Sequence, residues 1–167
     1  MTRALAFAVS WLAIAGAVAC GGAPPAGPPE IQLGVDACDG CGMTITDTRY
    51  AAAAVEGAGG EARTVKFDDV GCLARWQADP ARGALGGAWV HDRDSGAWVD
   101  AASASFARDE ALPTPMGSGV AAFTRASSAD AFVGEHGGER LSWSAILTRA
   151  REGSLVTRSR TSQESHR

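Results

Sequence analysis

The sequence predicts a small α+β domain in two layers, and two observations carry the prediction. Short alternating runs and short amphipathic runs follow one another in the order strand, helix, strand, and that order occurs twice. The foldable stretch is also modest, residues 31–153, enough for one domain or two small units.

In the first block, residues 43–46 and 50–55 are strand material around a turn at 47–49, and residues 62–67 alternate as a further strand. Asp68 or Asp69 then caps a helix whose Val70, Leu73, Ala74 and Trp76 share one face. Pro80 and the glycines at 83, 86 and 87 end it. Residues 88–92 and 96–100 follow as a hairpin over 93–95. In the second block, residues 119–124 form a strand and Ser127 or Ser128 caps a helix through Ala129, Phe132 and Val133. Gly137 and Gly138 stop that helix, residues 140–143 give the next strand, and a last helix over 144–151 closes the domain.

The ends have a different character. Arg3 precedes a weakly polar to apolar run over residues 4–18, the layout of a secretory signal and too short to span a bilayer comfortably. The run ends in Ala17-Val18-Ala19-Cys20-Gly21-Gly22, which resembles a lipobox, although Ala17 stands where a leucine is usual. Residues 1–19 are therefore expected to be a lipoprotein signal, with the lipid on Cys20. Plain cleavage after Ala19 would leave Cys20 an exposed thiol on an exported terminus, a liability that lipid attachment removes. Residues 20–30, rich in proline and glycine, form a partly extended tether, and the polar residues 154–167 a disordered tail.

Charge excludes partners. Residues 20–151 carry 11 basic and 17 acidic side chains, a net of −6 that argues against nucleic acid and against an anionic bilayer surface. A cationic cargo or a basic partner suits it better. Enzyme chemistry is also hard to find. His166 lies in the tail, His91 in a strand and His136 at a helix end, where surface or capping roles suffice. No serine sits in a nucleophile elbow, no glycine-rich loop ends in lysine after a strand, and no histidine pair has zincin spacing.

What remains is sulfur. Cys38-Asp39-Gly40-Cys41-Gly42-Met43 places three sulfur side chains within six residues. Haem attachment fails because Gly42, not histidine, follows Cys41. A redox motif needs its first cysteine at a helix N-terminus, whereas strand-like residues follow Cys41. A zinc site needs four ligands, and only one half-site plus the distant Cys72 is present. A structural disulfide between Cys38 and Cys41, or from either to Cys72, stays open for an oxidising compartment. The methionines add weight to metal binding. Besides the initiator the chain has only Met43 and Met116, and Met116 lies in a Pro-Met-Gly loop with no periodic pattern to bury it. Thiolate and thioether are soft donors that select Cu(I), and Cys41 and Met43, two apart on an extended segment, point to one side.

The lipobox-like start, residues 38–45, Lys66-Phe67-Asp68-Asp69-Val70-Gly71-Cys72, Trp98-Val99-Asp100-Ala101 with Ala104 and Phe106, Thr114-Pro115-Met116-Gly117-Ser118-Gly119, and Ala122-Phe123 together resemble the NosL family. These are lipoproteins accessory to nitrous oxide reductase. The resemblance runs over residues 35–143. It implies two consecutive ββαβ-like units, residues 37–101 and 102–151, in a copper-binding domain over 31–153 facing the periplasm from a membrane anchor. It implies a non-enzymatic copper chaperone that binds Cu(I) and delivers it to nitrous oxide reductase or another cuproprotein. Carried over by position, the ligands are Cys41, Met43 and Met116, with Cys38 as a further candidate. Cys72 lies on the predicted amphipathic helix and is assigned to the core. The alternatives are a thiol-disulfide oxidoreductase using Cys38 and Cys41, and a metal-free structural scaffold. A homodimer around one copper is compatible with the sequence.

Overall fold

The computed structural model describes residues 27–155. The signal, Cys20, most of the tether and the tail beyond Leu155 lie outside the described residues. Two antiparallel sheets and three helices make an α+β domain. The first sheet has the order β2-β1-β3-β4, from Ala52–Glu56 (β1), Arg63–Phe67 (β2), Leu85–His91 (β3) and Trp98–Asp100 (β4). The second has the order β6-β5-β7, from Ser105–Arg108 (β5), Val120–Phe123 (β6) and Glu139–Leu141 (β7). The helices are Val70–Ala78 (α1), Ala126–His136 (α2) and Trp143–Arg151 (α3).

The first block forms its elements for the reasons its sequence gives. Asp69 caps α1 by accepting from the Gly71 amide at 2.6 Å, and Val70, Leu73, Ala74 and Trp76 are all buried on the face it presents to β1 and β2. Full burial of Leu73 alone is worth about 1.5–3 kcal/mol. Trp76 meets Phe67 edge-on at 5.6 Å, a geometry that adds about 0.5–1.5 kcal/mol to its area burial. Alanine is a poor strand former, yet Ala52, Ala53 and Ala54 form the interior of β1. They are wholly buried in a strand between β2 and β3, with Ala52 and Ala54 in the core that also holds the apolar face of α1. Here tertiary packing overrides propensity.

Several expectations need correcting. Residues 43–46 are not a strand, because only Thr44 pairs, in a single bridge with Ala37. The second sheet is centred on β5, which sequence periodicity does not announce: four residues ending in a buried arginine carry too little alternation to read. Helix α2 starts at Ala126 after Arg125 with no side-chain cap, so neither Ser127 nor Ser128 caps it. Helix α3 starts at Trp143, with Ser142 accepting from the Ala145 amide at 3.3 Å. The expected tail is folded at its start, since Leu155 is buried in the main core and Ser154 bonds back to the Arg149 carbonyl.

The two sheets share one core, which holds Phe67 and Val90 of the first with Phe106, Val120 and Ala122 of the second. α3 packs against α1 and adds Trp143 and Ile146 to that core. The end of β3 meets β6 through a bridge between Asp92 and Ala122 and a bond from the Arg93 amide to the Ala122 carbonyl. Asp92 also accepts from the amides of Thr124, Asp94 and Ser95 and from the Ser95 hydroxyl. Burial would raise its pKa, but these donors to the charged form win and hold it down at about 2.

Candidate metal centre

The cysteine-rich segment is shaped by its own backbone. The Cys38 amide donates to the Met43 carbonyl and the Gly42 amide to the Cys38 carbonyl, both at 2.8 Å, so residues 38–43 close a tight turn. Gly42 takes φ +79°, a conformation that costs a side-chain-bearing residue energy. The turn is lashed to the end of β2, where the Asp39 amide donates to the Lys66 carbonyl and the Lys66 amide to Asp39 Oδ2 at 2.7 Å. β2 runs out at Phe67, and the chain passes through Asp68 and Asp69 straight into α1, with Cys72 in its first turn.

This placement gathers four side chains. The sulfurs of Cys38, Cys41 and Cys72 and a carboxylate oxygen of Asp68 all lie within 4.8 Å of one another, and no disulfide links the three thiols. Cys38, Asp68 and Cys72 are buried and Cys41 is half-buried, so Cys41 is the group's contact with the surface. The Cys41 thiol donates to Asp68 at 3.5 and 3.6 Å. A hydrogen bond from the Cys72 thiol lowers the Cys38 pKa to about 6, assisted by backbone amides and opposed by burial. The same bond and burial push Cys72 up, against the nearby Arg75 guanidinium, whose Nη2 donates to Cys72 Sγ at 3.2 Å. Burial raises Cys41 to about 11. One thiolate is thus favoured at the centre, held by a neighbouring thiol.

Asp68 and Cys72 belong to the group although the sequence pointed to capping and to core packing for them. Cys72 is buried as a core cysteine is, but its sulfur faces the other two thiols. Asp68 lies just before the N-cap and Cys72 in the first turn, so helix periodicity does not pair them, and only the fold brings them together. Met43 is half exposed, on the rim of the same turn. Met116 is half-buried and packs against the core that contains Cys38 and Cys72. Its amide donates to Asp69 Oδ2 at 2.9 Å, which ties the methionine loop to the cap of α1, one residue from Asp68. The loop is further fixed by bonds from the Gly119 amide to Thr114 Oγ1 and from the Gly117 amide to the Thr114 carbonyl. At Gly119, φ is +67° and a Cβ would collide with the Asp109 carbonyl, so glycine there permits close backbone approach.

Among the described residues, the histidines stay out of the group. His91 is buried, stacks on Trp98 at 3.6 Å and has Nδ1 3.0 Å from the Ala51 carbonyl, and desolvation lowers its pKa. His136 ends α2 against Phe132.

Fold and site together define a small α+β domain with a sulfur-rich group able to hold a metal ion. The NosL family model matches residues 31–150, and the chain belongs to that family. Among solved structures it is similar to the copper chaperone NosL from Shewanella denitrificans. That likeness has a TM-score of 0.64 at 21% identity and covers 72% of this chain and 96% of the other. No curated protein matches the chain.

Proposed function

We propose that the protein is a Cu(I) carrier, not a catalyst, which binds one ion through Cys41, Met43 and Met116, with Cys38 as a further thiolate. The observation that supports this reading is the grouping of the Cys38 and Cys41 sulfurs in the turn that also carries Met43, with the Met116 backbone tied to the cap of the adjoining helix. Cys38 and Cys41 lie together, Met43 stands on the exposed rim, and Met116 is fastened to the aspartate that caps α1. The similarity to a copper chaperone supports the choice of metal. An accessible Cys41 beside an exposed Met43 also suits handover, because an acceptor's ligand can approach the ion from that side while buried Cys38 still holds it. The acceptor in this reading is nitrous oxide reductase or another cuproprotein. The carrier faces the periplasm on a lipid attached to Cys20.

The oxidoreductase alternative is disfavoured by the same geometry. A disulfide-exchanging thiolate must be reachable, yet the low-pKa sulfur is Cys38, 2% exposed, while the reachable Cys41 is raised to about 11. Competition with bicinchoninate under reducing, anaerobic conditions tests the proposal. One tightly held Cu(I) per chain, lost in Cys41→Ser, is the expected result. Binding no tighter than the chelator's, or unchanged by Cys41→Ser, would contradict it.

A further inference from the structure

A second candidate site contains no sulfur. A cleft of about 310 Å³, at the lower end of small-ligand sites, lies between the turn that follows β3 and one face of α2. Phe123 and Phe132, with ring centres 5.6 Å apart, give it an apolar floor. Its polar groups are Arg93, Asp94, Ser128, Glu135 and His136. Arg93 stands out among them. Its guanidinium carbon lies 4.9 Å from the centre of the Phe132 ring, and its Nε is buried without a hydrogen-bond partner. Among the described residues its side chain has no ion pair and no hydrogen bond. Stacking on a ring accounts for one face of a guanidinium and leaves its five N–H donors unused, and a buried donor without an acceptor is costly. The carboxylates nearby are engaged elsewhere. Asp47, close enough to feel the Arg93 charge, is paired with Arg49 at 2.6 Å. Both oxygens of Asp92 accept from backbone amides, and one also from the Ser95 hydroxyl.

Ser128 and His136 complete the donor set. Arg125 donates to Ser128 Oγ at 3.3 Å, which leaves the Ser128 hydroxyl proton for an outside acceptor. The His136 ring centre is 4.4 Å from that of Phe132. The carboxylates of Asp94 and Glu135 stand on the exposed rim, the Glu135 one 3.9 Å from His136 Nε2. Water and salt screen these two charges, whereas Arg93 lies against an apolar ring, so attraction for an anion at the floor outweighs repulsion at the rim.

We propose that this cleft binds a small organic acid, a carboxylate carried on a flat apolar body. The carboxylate takes the fork of Arg93 and the Ser128 hydroxyl, and the flat body lies on Phe123 and Phe132. A ligand so held bridges the turn after β3 and helix α2, beside the bond from the Arg93 amide to the Ala122 carbonyl that already ties the two sheets. The inference does not rest on the copper reading, since none of the proposed copper ligands lines the cleft.

The full chain, kept reduced, is titrated with benzoate, and with benzamide as a neutral control of the same shape. The ring signals of Phe123, Phe132 and His136 are followed by NMR, and thermal unfolding is measured alongside. Saturable shifts at one benzoate per chain are expected, with benzamide at least tenfold weaker and an unfolding midpoint that rises with benzoate. Arg93→Gln is expected to weaken binding by more than tenfold, and Arg93→Lys, which keeps the charge without the fork, to recover part of that loss. Glu135→Gln, at a side chain 77% exposed, is expected to tighten binding about twofold. If Arg93→Gln does not fold by circular dichroism, the benzamide control and Glu135→Gln decide instead. Shifts that do not saturate, benzamide binding as tightly as benzoate, weaker binding in Glu135→Gln, or unchanged affinity in a folded Arg93→Gln would overturn the proposal.

Discussion

Asp69 is the point where helix α1 and the methionine loop share one side chain, so Asp69→Ala should strike stability and metal retention together. The residue is wholly buried; one carboxylate oxygen accepts from the Gly71 amide at 2.6 Å, and the other from the Met116 amide at 2.9 Å. Losing an N-cap costs about 1 kcal/mol. Losing a hydrogen bond to a charged group, with a donor left unpaired, costs about 1.5–3 kcal/mol. The variant should therefore unfold about 3 kcal/mol more easily, at unchanged slope in urea. Asp69→Asn, which keeps one acceptor oxygen, should lose roughly half as much. Freed from its anchor, Met116 should release copper faster, so transfer to a chelator in stopped flow should quicken in Asp69→Ala at a temperature where the variant is folded. Stability within 0.5 kcal/mol of the parent would refute the view that Asp69 pins the loop. Normal destabilisation with an unaltered transfer rate would remove Met116 from the copper path.

Three further predictions rest on separate features. Backbone and hydroxyl donors hold the pKa of folded Asp92 down to about 2, below the ordinary aspartate value of about 3.9, so its contribution, about 2 kcal/mol, is fully present above pH ~4 and disappears as pH falls towards 2. Acid unfolding of Asp92→Asn should show a correspondingly shallower loss across that window, measured by circular dichroism. Gly71→Ala would set a Cβ 2.6 Å from Ser118 Cβ, in a buried contact that cannot yield cheaply, and should destabilise by about 1–3 kcal/mol despite the better helix propensity of alanine. Cys20→Ser should leave the domain folded and shift it from the membrane to the soluble fraction on cell fractionation, and a processed variant still in the membrane would speak against lipid attachment.

How much of this was legible beforehand varies with the physics that decides each part. Helix α1 was readable because its cap, apolar face and terminating Pro80 all agree. The hairpin of β3 and β4 was readable because alternation and a polar turn coincide. Strand β5 was not, since its place at the centre of a sheet is set by pairing with β6 and β7, not by its four residues. At the site, Cys38, Cys41 and Met43 announced themselves by local spacing. Asp68 and Cys72 join them only because the turn is stitched to the end of β2 through Asp39 and Lys66, a contact spanning 27 residues of sequence. A single sequence gives little warning of such a stitch.

If copper rests in sulfur at this edge of the domain, copper X-ray absorption of the protein loaded with one Cu(I) will report it. A first shell of sulfur alone is expected, with one scatterer fewer in Met43→Ala. Imidazole scattering, which would bring in His91 or His136, or a shell indifferent to Met43, would contradict it.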